Sequence, residues 1–166
     1  MMSENCNKKL LILGMGSEIL MDDGVGSRLA NKLRKENLPP AFHVETSNIG
    51  GLELLEIIKD YDQLILLDGM RGGSDVGDLH YFSPENFRET LHLSTVHDAS
   101  FLNALKVGVK LGYNLPRNID IVGIEVEEDK CFGEYFSDNL EKRINYIYNE
   151  IKKLVFAKNI RRFEKN

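Results

Sequence analysis

Short aliphatic runs alternate with stretches of helical period along the whole chain, and this alternation limits the architectures open to it more than any other feature. Leu10-Leu11-Ile12-Leu13, Phe42 to Thr46, Leu64-Ile65-Leu66-Leu67 and Ile119 to Ile124 read as strands. The first and third are unbroken aliphatic runs, as expected of strands covered on both faces. Between them, Val25, Leu29, Ala30 and Leu33 recur at helical spacing, and Pro39-Pro40 stop that helix. Gly50-Gly51 opens a second helix with Leu52, Leu55 and Ile58 on one face. Phe101, Leu102, Leu105 and Val109 mark a third over 100–111, and Ser137 to about Phe163 a long last one with Leu140, Ile144, Ile147, Ile151, Leu154 and Val155 inward. Leu79 to Phe82 reads as a short strand after the turn-rich Arg71 to Asp75. The pattern predicts a three-layer α/β fold, a twisted and mostly parallel sheet flanked by helices on both faces.

With 166 residues and no linker, repeat or low-complexity tract, a single domain over 1–166 is expected. Residues 1–9 read as a disordered or extended N-terminus, and 159–166 as a basic end in which Lys158, Arg161, Arg162 and Lys165 suit a helix C-terminus. The net charge of -5, from 21 Lys+Arg against 26 Asp+Glu, offers no basic footprint for nucleic acid or an anionic membrane. Cys6 and Cys131 are too far apart to read as a disulfide framework, and no C-x-x-C suggests structural zinc. The four-residue apolar run after a polar N-terminus is too short for a signal peptide or a membrane span, so a cytoplasmic protein without membrane insertion is expected.

Ligands of open α/β sheets sit outside the carboxyl ends of the strands. Polar residues at those ends are Glu18, Asp22 and Asp23 after the first strand, and Thr46, Ser47 and Asn48 after the second. Asp68 follows the third, and Glu125, Glu127 and Glu128 the last; Ser94, Thr95, His97 and Asp98 precede the third helix. Carboxylates crowded at one edge without a following Lys or Arg repel one another, and protons, a cation or a cationic substrate would relieve them. A divalent ion held by Asp23, Asp68 and His97, one from each of three loops, satisfies this simply. Each has a plainer reading as well: Asp23 as a helix cap, Asp68 as a turn residue before Gly69, His97 as a surface or packing residue.

Several other motifs fail. Gly14-Met15-Gly16 lacks the third glycine of a dinucleotide fingerprint, which falls on Ile19, and no G-K-[ST] makes a P-loop. A phospho-receiver would need its acidic pair at the strand tip and a lysine where Gly123-Ile124-Glu125 stands. No H-E-x-x-H, G-x-S-x-G or cysteine–histidine pair supports the common protease schemes.

The stretch Leu11 to Gly26, with Leu13-Gly14-Met15-Gly16 and Asp22-Asp23-Gly24-Val25-Gly26, resembles the N-terminal signature of the hydrogenase maturation endopeptidases. The resemblance continues through Gly51-Leu52-Glu53-Leu54-Leu55, Leu64 to Asp68, Ser94-Thr95-Val96-His97-Asp98 and Val122-Gly123-Ile124-Glu125. It implies a peptidase that removes the C-terminal extension of a nickel-iron hydrogenase large-subunit precursor after nickel insertion. It also implies that Asp23, Asp68 and His97 bind the nickel carried by that precursor, so that the metal serves recognition and no organic cofactor is needed. Asp23 is then the candidate catalytic carboxylate, and Ser47, Asn48, Gly50 and Gly51 the candidate substrate-binding residues. The sequence departs from the family pattern at Ser17, where asparagine is usual, and at Ser47-Asn48-Ile49-Gly50-Gly51, whose change bears on which precursor is cut. Two alternatives stay open: a non-catalytic metal-dependent phospho-receiver or ligand-binding module on a similar sheet, and a family member that has lost activity.

Overall fold

The computed structural model describes residues 8–84 and 96–163, through the backbone alone at 96–100 and 159–163. The expectations for residues 1–7, for Ser94 and Thr95, and for the side chains of Arg161, Arg162 and Lys165 lie outside the described residues. Elements run β1 (Leu10–Met15), α1 (Val25–Leu33), β2 (Phe42–Ser47), α2 (Leu54–Ile58), β3 (Gln63–Met70), β4 (Leu79–Phe82), α3 (Val96–Lys110), β5 (Asn118–Glu125) and α4 (Asp138–Phe163). Single 3-10 turns, Met21–Gly24 and Gly51–Glu53, lead into α1 and α2.

The strands form one sheet in the order β2-β1-β3-β5-β4. The first four are parallel, and β4 pairs antiparallel with β5 at the edge. The aliphatic runs behave as their unbroken character predicts, because alternate residues of one strand serve opposite layers. Leu10 and Ile12 of β1 join Ile65 and Leu67 of β3 under α1 and α4, where Leu29, Leu33, Ile147 and Ile151 are buried. Leu11 and Leu13 join Leu64 and Leu66 on the opposite face, under Leu54, Leu55 and Ile58 of α2 and Phe101 and Leu102 of α3. The expected three-layer arrangement is therefore the observed one.

Three local expectations change. The helix α1 ends at Leu33, with turns through Glu36, before Pro39-Pro40 is reached; the Pro39 carbonyl instead accepts the Phe42 N–H and starts β2. Leu52 lies on the 3-10 turn and is 58% exposed, so the buried face of α2 is Leu54, Leu55 and Ile58. The third helix begins at Val96, four residues earlier than its apolar period indicates.

Helix α1 approaches the sheet closely because Gly14 of β1, where a Cβ would sit 2.3 Å from the Gly26 carbonyl oxygen, and Gly26 of the helix permit it. A Cβ on Gly26 would sit 2.2 Å from the Leu67 carbonyl oxygen and 2.6 Å from that of Met15. Both are strand backbone and cannot yield alone. Gly26→Ala is expected to lower stability by about 3 kcal/mol, the upper end of overpacking, and Tm by roughly 10 °C. Thermal denaturation followed by circular dichroism measures this, and an unaltered Tm would contradict the close approach.

Candidate active site

From β1 the chain crosses through α1 to β2 on one side, and from β3 it travels to β5 on the other. The helix after β1 covers one face of the sheet and α3 covers the opposite face. The carboxyl ends of β1 and β3 therefore flank a crevice where the winding reverses, the position at which α/β sheets bind ligands. Asp23 lies on the 3-10 turn after β1, and Asp68 lies within β3, two residues before its end.

The chain enters this turn through Gly16, whose φ is +110°. A Cβ there would come 1.8 Å from the Asp23 carbonyl oxygen, so both the conformation and the contact require glycine. The half-buried Asp23 carboxylate accepts the Ser17 N–H through Oδ2 at 2.7 Å. The same turn presses on the end of β3: a Cβ on Gly69, next to Asp68, would lie 3.6 Å from the Asp22 carbonyl oxygen.

The neighbouring Asp22 does different work. It is 0% exposed. Its Oδ1 accepts the Ser137 N–H at 2.7 Å, and its Oδ2 accepts the Ser137 hydroxyl at 2.7 Å and the Glu128 and Glu127 N–H groups at 3.1 and 3.3 Å. One carboxylate thus ties the turn after β1 to the segment leaving β5 and to the start of α4. Glu125 is similar, 3% exposed at the end of β5. Its Oε1 accepts the N–H groups of Gly72 and Gly73 at 2.7 and 2.8 Å, while Oε2 accepts the Ser74 hydroxyl at 3.1 Å and lies 3.5 Å from His80 Nε2. It anchors the loop that follows Asp68. Glu128 accepts the Lys130 and Cys131 N–H groups, which holds its carboxyl below the usual range. The same carboxylate pushes the Cys131 thiol up, away from nucleophilic thiolate.

The crowding of acids at this edge therefore needs no cation for Asp22, Glu125 or Glu128, contrary to the expectation from sequence. Backbone N–H groups, invisible in a list of residue types, compensate those charges. Of the two acids assigned to the ion in the sequence, Asp23 likewise accepts a backbone N–H, that of Ser17. His97 is the second residue of α3, on the helix rather than in a loop before it, and its side chain lies outside the described residues. Among the described residues no three His, Cys, Asp or Glu side chains gather around a common point.

Beside Asp23 opens a cleft of about 320 Å³. Gly16 to Ile19 form one wall and Thr46, Ser47 and Asn48 the other, with Ser27 between them. The Ser27 hydroxyl donates to the Gly16 carbonyl at 2.8 Å and steadies the first wall. In the second wall Ser47 Oγ accepts the Ile49 N–H at 3.1 Å, turning the chain sharply after β2. Of the four candidate substrate-binding residues, the structure brings Ser47 and Asn48 to the cleft. Gly50 and Gly51 instead begin the 3-10 turn before α2, where Gly51 has φ +75°. Glu18 and Ile19 line the cleft although the sequence did not single them out for binding; their place directly after a strand-end glycine was the available signal. A larger hollow of about 530 Å³ lies by the amino end of β5, where Lys158 and Asp120 already pair at 2.5 Å. Among the described residues no helix is long and apolar enough to cross a membrane.

A family model described as hydrogenase maturation protease matches residues 27–154. The matched span includes Asp68 and His97 and begins four residues after Asp23. Among solved structures, the hydrogenase maturating endopeptidase HybD from E. coli superposes with a TM-score of 0.75 at 19% identity, covering 90% of this chain and 93% of that one. The [NiFe] hydrogenase maturation protease HybD from Thermococcus kodakarensis gives 0.67 at 20% identity, covering 89% and 99%. The hydrogenase 2 maturation peptidase from a Thaumarchaeota archaeon gives 0.60 at 22%, covering 89% and 98%. At these identities the superpositions speak for the fold. No curated protein sequence matches the chain.

Proposed function

The chain belongs to the hydrogenase maturation protease family, and we propose that it removes the C-terminal extension of a nickel-iron hydrogenase large-subunit precursor once nickel is in place. The observation that carries this reading is the seating of the Asp23 turn against the residue after Asp68, at the crevice between β1 and β3. The turn that carries Asp23 thus meets the strand that carries Asp68, and α3, whose second residue is His97, packs on the sheet.

In this proposal the nickel belongs to the substrate. Asp23, Asp68 and His97 recognise it, and three donors leave positions for the precursor's own thiolates, since nickel accepts imidazole, oxygen and sulfur. A precursor without nickel offers no such anchor, so selectivity arises as a difference in affinity. Ser17 N–H holds Asp23 Oδ2 and orients the carboxylate. Asp23 takes a proton from the water that attacks the scissile carbonyl and returns it to the departing amine. Ser47 and Asn48 border the space beside it for the extended segment.

A phospho-receiver would hold magnesium through its acidic pair, whereas both oxygens of Asp22 are occupied by protein donors. The test is His97→Ala against nickel-loaded and nickel-free precursor. Processing of the loaded precursor is expected to fall by at least a hundredfold with an unaltered circular dichroism spectrum. Equal processing by wild type and variant would remove His97 from the mechanism. Equal processing of loaded and nickel-free precursor by the wild type would remove nickel from recognition.

A further inference from the structure

The sheet ends at β2, and among the described residues its outer edge is blunted only in part. In a parallel strand, alternate residues turn both backbone groups toward the same neighbour. Leu10 N–H donates to the Ala41 carbonyl and Gly16 N–H to that of Ser47, so His43, Glu45 and Ser47 face β1 while Phe42, Val44 and Thr46 face outward. An exposed row of this kind invites another strand, and proteins usually blunt it. Here Phe42 N–H is used by Pro39, and the Val44 carbonyl accepts Arg34 NH2 at 2.9 Å and Nε at 3.3 Å. Past Thr46 the chain leaves the strand direction at the Ser47–Ile49 turn. Among the described residues nothing pairs with the outward N–H and C=O of Thr46, and Thr46 forms the wall of the cleft beside Asp23.

We infer that the Thr46 edge receives the extended segment of the precursor around its cleavage site, as an added strand held by the Thr46 N–H and C=O. The inference rests on the peptidase reading above and deepens it. The occupant follows from the groups presented: an unmade backbone donor and acceptor select an extended polypeptide of any sequence, and side chains of alternate residues then select further. Ile19, 53% exposed on the facing wall, and Ile49, 50% exposed just beyond Asn48, supply apolar surface on either side. Arg34 sets the limit in the other direction, because its guanidinium occupies the next outward carbonyl. A strand seated at Thr46 crosses the mouth of the cleft whose other wall carries Ser17, the residue that holds Asp23. Docking at this edge thus delivers a peptide bond to the carboxylate without requiring the precursor's folded body to enter the cleft.

Proline is tolerated on an edge strand where its missing N–H faces solvent, so Thr46→Pro removes the docking donor with the least harm to the sheet. Thr46→Val keeps the donor and the β-branched shape. With nickel-loaded precursor, kcat/KM for Thr46→Pro is expected to fall about tenfold or more below that of Thr46→Val, the worth of one lost backbone bond at its upper range. In the wild-type protein, hydrogen exchange at the Thr46 amide is expected to slow at least tenfold when the precursor is added. Equal kcat/KM for the two variants, or an amide that exchanges at the same rate with and without precursor, overturns edge docking and leaves the peptidase assignment standing. Should Thr46→Pro fail to fold, the exchange measurement on the wild type decides alone. Absence of any processing by the wild-type protein overturns both.

Discussion

Replacing Asp23 with asparagine is expected to abolish processing of a nickel-loaded precursor while leaving the fold intact. Asparagine is nearly isosteric and keeps an oxygen for the Ser17 N–H, the contact that holds Asp23 at 2.7 Å. The turn should therefore stay in place, with a stability change within about 0.5 kcal/mol. What disappears is the negative charge and the ability to take a proton. Loss of a positioned general base reduces rate by about 10² to 10⁴, and loss of a metal-recognising carboxylate adds to that. Single-turnover processing, read as a mobility shift of the large subunit, measures the effect. Retention of more than a tenth of the wild-type rate would take Asp23 out of the proposed chemistry.

Asp22→Ala is expected to do the opposite, striking stability first. Its side chain is fully buried and accepts four hydrogen bonds, from Ser137 N–H, Ser137 Oγ and the Glu127 and Glu128 amides. Truncation leaves the buried Ser137 donors and the part-buried Glu127 and Glu128 amides without this acceptor. Hydrogen bonds to a charged group contribute about 1.5–3 kcal/mol each, but they act as a unit, so the combined loss is on the order of 4 kcal/mol. That is a large fraction of a typical total of about 5–15 kcal/mol. Asp22→Asn should recover little, because an amide NH2 would face donors wherever it replaces one of the two oxygens. Urea denaturation compares the three proteins, and a loss below about 1 kcal/mol for Asp22→Ala would contradict the network. The pair separates two adjacent aspartates that sequence alone leaves equivalent: one should lose function with its fold kept, the other should lose its fold.

The strands were readable because β1 and β3 carry aliphatic side chains on both faces, which only a doubly covered sheet satisfies. The bounds of the helices were less readable. Leu52 has the right period for the second helix, yet it sits on a 3-10 turn exposed to solvent, since period does not distinguish a tight turn from a helical one. The gathering of acidic residues at the carboxyl ends of the strands was readable from the sequence. It was not readable as a division of labour. Glu125 and Glu128 look like further members of an acidic cluster in sequence, but each holds backbone N–H groups of a nearby loop.

The amino-acid sequence by itself determined the layered α/β class and the end of the sheet where acidic residues gather, because these follow from side-chain period and from polar residues placed after apolar runs, and its motifs carried the family resemblance. Only the tertiary structure decided that Asp22 is a structural tie while Asp23 is held by the N–H of Ser17, a residue of the cleft wall, and that Thr46 presents an open edge. Those outcomes depend on backbone N–H and C=O groups, which every residue type carries and which long-range pairing alone satisfies or leaves free.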